Sequence, residues 1–96
     1  MTRRTGFLTG AAMVLALGCT GARAQNFSSW SCRDLWLERN QIFKDAGYCF
    51  QTRRAIATFG NAGCVYDRQA DVPLSAHQRR IIAAIRNAER WRGCTD

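Results

Sequence analysis

Residues 31–47, SCRDLWLERNQIFKDAG, decide the fold. At about 100° per residue, Cys32, Leu35, Trp36, Ile42, Phe43 and Ala46 gather within a sector of about 120°, the pattern of a helix that buries one face. Ser31 is a good N-cap, and Asp34 in the first turn favours the positive end of the helix dipole. Gly47 suits the left-handed stop position at the other end. Arg39 sits in the middle of the apolar sector, where a guanidinium must be paired or hydrogen-bonded to be tolerated. We expect it to tie down loop carbonyls or a carboxylate; the rival expectation is an anion-binding arginine at the floor of a cleft.

Downstream, Tyr48-Cys49-Phe50 reads as a short extended link with two aromatic anchors. Thr52 can cap a second helix over 53–59, ended by Gly60, and residues 61–71 read as a loop. Pro73 follows Val72, and Ser75 with Gln78 forms a capping-box start for a third helix that runs to Arg92 and stops at Gly93. Its apolar face is Ile81, Ile82, Ile85 and Ala88, with Trp91 at the margin. Residues 25–30 read as a loosely held leader. No strand pattern is convincing, so the expectation is an all-α, small three-helix domain stapled by two disulfides.

Upstream lies a different kind of sequence. Arg3-Arg4 begins a positive stretch, residues 7–17 are an apolar run broken by Thr9 and Gly10, and Ala22-Arg23-Ala24 offers small residues where a signal peptidase reads. This is the pattern of a cleavable export signal over residues 1–24, leaving 25–96 as the domain. The run is too short for a membrane span, which needs about 20 apolar residues. Arg3-Arg4 before Phe7-Leu8 resembles a twin-arginine signal with one residue too many. Leu17-Gly18-Cys19 leaves lipid attachment at Cys19 open, although Ala16 stands where a large apolar residue is usual. Periplasmic or secreted localisation is expected. Removing Arg3, Arg4 and Arg23 takes 14 basic residues to 11 against 7 acidic ones, so the net charge falls from +7 to +4. Export argues against nucleic acid as the partner. An anionic envelope polymer, peptidoglycan or similar, or a periplasmic protein suits the charge.

Cleavage removes Cys19 and leaves Cys32, Cys49, Cys64 and Cys94, an even number in a short exported chain, which reads as two disulfides. Intervals of 17, 15 and 30 residues supply no closely spaced pair for a metal. With no C-x-x-C, a thioredoxin-type role lacks its motif as well. Cys32 and Cys49 stand at opposite ends of a helix, about 20 Å apart and beyond bridging distance. Of the two remaining pairings, Cys32–Cys94 with Cys49–Cys64 suits antiparallel terminal helices; Cys32–Cys64 with Cys49–Cys94 stays open.

Candidates for chemistry are few. His77, the one histidine, has no nucleophile at a recognisable spacing. Asp34, Glu38, Asp45 and Glu89 read as cap and surface residues. Arg79, Arg86 and Arg90 align on one stripe of the third helix opposite the isoleucines, and Arg53 and Arg54 begin the second. Such a run is commonly a solvated face, and otherwise a surface for an anionic polymer or acidic partner. Trp30 and Tyr66 are lone aromatics that could stack on a sugar, though packing is the commoner use of such rings. No catalytic, cofactor-binding or metal-binding residue is expected.

One block carries a family resemblance: Leu35-Trp36-x-x-Arg39-Asn40-x-Ile42-Phe43-x-x-x-Gly47-Tyr48-x-Phe50. It is similar to the core of the YARHG domain, L-W-x-x-R-N-x-I-Y-A-R-H-G-x-x-F, and the likeness continues loosely through Phe59 and Val72-Pro73-Leu74-Ser75. The resemblance implies an extracytoplasmic module with a role near the cell envelope and no established activity. Phe43-Lys44-Asp45-Ala46-Gly47 replaces the letters that name the family, so a role for that Arg or His does not carry over. Arg39, Asn40 and the aromatic frame do, as fold-makers, with the cysteines as added staples. The function expected is a non-catalytic periplasmic or secreted module that binds an envelope component or a partner protein. A secreted inhibitor or effector is the alternative, and an enzyme with a site around Arg39 a more distant one.

Overall fold

The computed structural model describes residues 26–95. The expected export signal over 1–24, with Cys19, lies outside them. Three helices form: α1 (Cys32–Asp45), α2 (Arg53–Phe59) and α3 (Ala76–Arg92). Each starts where local chemistry says it should. The side chains of Ser31, Thr52 and Ser75 accept from the amides of Asp34, Ala55 and Gln78, and Gln78 returns the bond to Ser75 as a full capping box. Short 3-10 turns at Phe27–Ser29 and Gln69–Asp71 complete the described structure. No strand occurs among these residues, only an isolated parallel bridge between Tyr48 and Tyr66.

Helices α1 and α3 run antiparallel, and a disulfide joins the start of one to the end of the other: Cys32–Cys94, with Cα atoms 5.5 Å apart. Cys49–Cys64 ties the loop after α2 to the link after α1. This is the pairing that antiparallel terminal helices favour. In the chain-entropy picture, the bridges closing separations of 62 and 15 residues contribute about 4 and about 3 kcal/mol, a large share for so short a chain.

Two apolar clusters result. One is aromatic: Trp36, Phe43, Tyr48 and Phe50, with Ala55, Val72 and Ile82. Phe50 stacks on Phe59 at 5.2 Å and meets Tyr48 edge-on at the same distance. The other is aliphatic, Leu35, Ile85 and Ala88 with Phe27. Phe27 corrects the expectation of a loosely held leader. It is 4% exposed, its ring meets Trp30 edge-on at 4.9 Å, and Ser28 O accepts from the Arg92 guanidinium. Phe27 closes the end of the α1–α3 layer, and its burial, the Trp30 contact and the Arg92 bond together hold the segment in place.

The loop over 61–71 is pinned by more than its disulfide. Asn61 acts as a backbone surrogate: its Oδ1 accepts from Phe50 N at 2.7 Å and its Nδ2 donates to Phe50 O at 3.1 Å. Gly47 O accepts from both Val65 N and Tyr66 N, and Tyr66 O accepts from Cys49 N. Gly47 has φ 96°, and a Cβ there would lie 3.3 Å from the Tyr66 ring, so both conformation and space require glycine.

Candidate binding surface on the third helix

Arg39 is buried, and its partner is Glu89 on α3. Arg39 Nε donates to Oε1 and Nη2 to Oε2, both at 2.9 Å, a bidentate pair across the helix interface. The carboxylate form of the structural expectation for Arg39 is therefore found. The reading of Glu89 as a surface residue is overturned, since it is 9% exposed. A signal for this was present. On a wheel of about 100° per residue Glu89 falls between Ile82 and Ile85, on the apolar face of α3, as Arg39 falls within that of α1. Opposite charges misplaced on two apolar faces are each other's natural partners. Asn40, also buried, donates through Nδ2 to Trp36 O at 2.9 Å. It braces the helix that carries Arg39.

Outside this pair α3 is basic. Arg79 and Arg90 are exposed and Arg86 is half-buried, the three lying within about 40° of one another on the wheel. Their contacts are weak or local. Arg86 donates to Gln69 Oε1 at 3.3 Å, Arg90 to Asn87 Oδ1 at 3.4 Å, and Arg79 to Leu74 O at the start of its own helix. Arg86 leans toward the loop rather than standing opposite the isoleucines. Arg86 and Arg90 flank a small cleft of about 200 Å³ into which the Arg39–Glu89 pair reaches. Three guanidinium groups there face one carboxylate, an arrangement that favours an anionic visitor.

Arg53 and Arg54 are set apart from this stripe. Arg54 lies over the Trp36 ring, 3.7 Å from its centroid, a cation–π contact. It borders a second cleft of about 250 Å³ with Arg39, Asn40, Tyr48 and Gln69. Gln69 is the one link, since it also accepts from Arg86. Arg53 is exposed at the helix start. A shallow groove of about 800 Å³ runs along the outer side of α1, with Trp30, Leu37 and Phe59 beside the carboxylates of Asp34 and Glu38. Its charge is of the opposite sign to that of α3.

His77 is exposed at the first turn of α3, and all four described cysteines are disulfide-bonded. Among the described residues no group of three or more His, Cys, Asp or Glu side chains is placed to hold a metal ion. No helix among them is long and apolar enough to cross a membrane. Trp30 and Tyr66 are half-buried and packed against the two clusters. Trp91, expected at the margin of the apolar face, is instead 84% exposed. On the wheel it falls about 60° beyond Ala88 and about 120° from Ile85, so its ring turns away from α1.

A family model described as the YARHG domain matches residues 11–90 of the chain. Its first part falls in the expected export signal, and the remainder takes in all of α1 and α2 and α3 up to Arg90. No curated protein and no solved structure matches. Two disulfides in a chain this small mark a domain of an oxidising, extracytoplasmic compartment.

Proposed function

The chain belongs to the YARHG domain family, and from that premise we propose that it is a non-catalytic periplasmic or secreted module that binds an anionic polymer of the cell envelope. The observation that carries this reading is the outer side of α3. Arg79, Arg86 and Arg90 present a row of guanidinium groups with no carboxylate pairing them among the described contacts. Charge left unneutralised on one side of a disulfide-stapled scaffold is available to carboxylate or phosphate groups, and such binding weakens with salt. The buried arginine supports the non-catalytic side of the proposal, because Glu89 engages its guanidinium in fold-making bonds.

The test is co-sedimentation of the oxidised protein with purified peptidoglycan sacculi at low and high salt. Binding that falls with salt, and falls again when Arg79, Arg86 and Arg90 are replaced by Gln, is the expected result. Sedimentation indifferent to salt and to those replacements would sink the proposal.

A second reading is favoured by the rigid loop over 61–71. Cys64 and the Asn61 clamp hold it, and Val65 at its surface is 67% exposed. A rigid loop with an exposed aliphatic side chain suits a secreted inhibitor. Stoichiometric inhibition of an elastase-type protease, abolished by Val65→Asp and untouched by the arginine replacements, would support it over the first.

A further inference from the structure

Trp91 is the one aromatic side chain among the described residues that is exposed; the others are buried or half-buried in the two clusters. An indole is the largest apolar surface a chain can present, and this one stands on a helix whose neighbouring positions are small or polar. Shallow grooves lie on its two sides. One, of about 370 Å³, is bounded by Asn26, Ser28, Ala84, Asn87 and Arg92. The other, of about 290 Å³, lies between Trp91, Asn87 and Arg90. The Arg92 guanidinium donates to Ser28 O at 3.3 Å and braces the wall of the first. Arg90 belongs to both this surface and the arginine stripe.

A pyranose ring has an apolar face of C–H bonds and a rim of hydroxyl and acetamido groups. A flat indole flanked by amides, a hydroxyl and guanidinium groups, with Ala84 and Ala88 giving clearance, is complementary to both parts. We infer that Trp91 is the stacking platform of a glycan site, which takes an N-acetylated sugar of the same envelope polymer whose anionic groups the arginines hold. The site rests on the envelope reading above and names the sugar chemistry within it. A lipid surface fits less well, since a helix lying in a membrane presents an apolar stripe rather than one ring among Asn, Ser and Arg. A symmetric contact between two copies through Trp91 would bring Arg90 and Arg92 of each against the other's, a like-charge clash.

The experiment titrates the oxidised protein with tri-N-acetylchitotriose, an uncharged probe, at high salt, and follows the indole N–H resonances by NMR. The Trp91 signal is assigned by its absence in Trp91→Phe. A saturable shift of Trp91, with Trp30 and Trp36 unmoved and with Arg79→Gln and Arg86→Gln without effect on it, is the expected outcome. Trp91→Ala, at a position exposed enough to leave folding intact, should lower the affinity for sacculi by about tenfold. A Trp91 signal that ignores the sugar overturns the inference. So does Trp91→Ala binding sacculi as tightly as the parent, while the arginine variant alone loses binding, which leaves the envelope reading standing. Trp91 responding only to phosphatidylglycerol vesicles, or a concentration-dependent doubling of mass abolished by Trp91→Ala, also overturns it. A sugar shift that persists where sacculus binding proves indifferent to salt keeps the glycan site and sinks the role of the arginines.

Discussion

Arg39 on the inner side of α1 and Arg79, Arg86 and Arg90 on the outer side of α3 carry the same guanidinium group on two helices packed against each other. At Arg39 water is gone, and two parallel bonds to Glu89 compensate the charge. On α3 the bonds are long or local, Arg79 and Arg90 stay wet and Arg86 is half-buried. The difference teaches that burial, rather than residue type, decides whether an arginine belongs to the fold or to a partner. A paired buried charge is costly to disturb, while an exposed one is nearly free to change and keeps its field for something else.

The sharpest way to break the contrast is Glu89→Ala. It leaves Arg39 buried without this carboxylate and should cost about 3–5 kcal/mol, enough to unfold much of so small a domain. Urea denaturation of the oxidised protein reads it; a midpoint close to the parent's would mean that the pair is not structural. Replacing both partners by apolar residues, Arg39→Met with Glu89→Leu, should recover most of that loss, because no charge is then left stranded.

The staples come next. Cys32→Ser with Cys94→Ser should cost about 4 kcal/mol and Cys49→Ser with Cys64→Ser about 3, the longer closed loop losing more. Thermal melts give the order; a reversed order would show that the short bridge holds the aromatic cluster in a way loop entropy omits. Gly47→Ala is smaller, about 1–3 kcal/mol, from the positive φ and the crowding of Tyr66. It should leave the Arg39–Glu89 end of the molecule unaffected, which amide exchange along α3 would register.

The smallest expected effect on stability is on the outer side of α3. Arg79→Gln, Arg86→Gln and Arg90→Gln should each change it by less than about 0.5 kcal/mol, with Arg86 the largest of the three because it is half-buried against Gln69. Their effect should fall on salt-sensitive binding instead. A stability loss from Arg86→Gln comparable to that of Glu89→Ala would erase the distinction between the two regions.

Helix limits were legible to within a residue because capping is local chemistry. Ser31, Thr52 and Ser75 act on amides three residues away, and Gly47, Gly60 and Gly93 supply positive φ at the stops. The apolar stripes of α1 and α3 and the all-α class followed from periodicity, and the family from the spacing of Leu35, Trp36, Arg39, Asn40 and Gly47; reach excluded one disulfide pairing, and the structure decided between the other two in favour of the one that antiparallel helices suit. Glu89 was misread because its type argued for the surface and only its wheel position argued otherwise. Trp91 was misread for the converse reason: its type suggested a packed ring, but its wheel position, about 120° from Ile85, turns it away from α1.

The sequence by itself determined where each helix begins and ends, which faces are apolar, and that the chain is stapled for an oxidising compartment. Those properties depend on neighbours three or four residues away or on composition. Tertiary structure alone decided which carboxylate meets Arg39, that Phe27 closes the aliphatic cluster, and that Trp91 stands in water beside the arginines of α3. Each of these depends on contacts between elements far apart in the chain. A helical wheel shows which side of a helix is turned inward, but not what is waiting there.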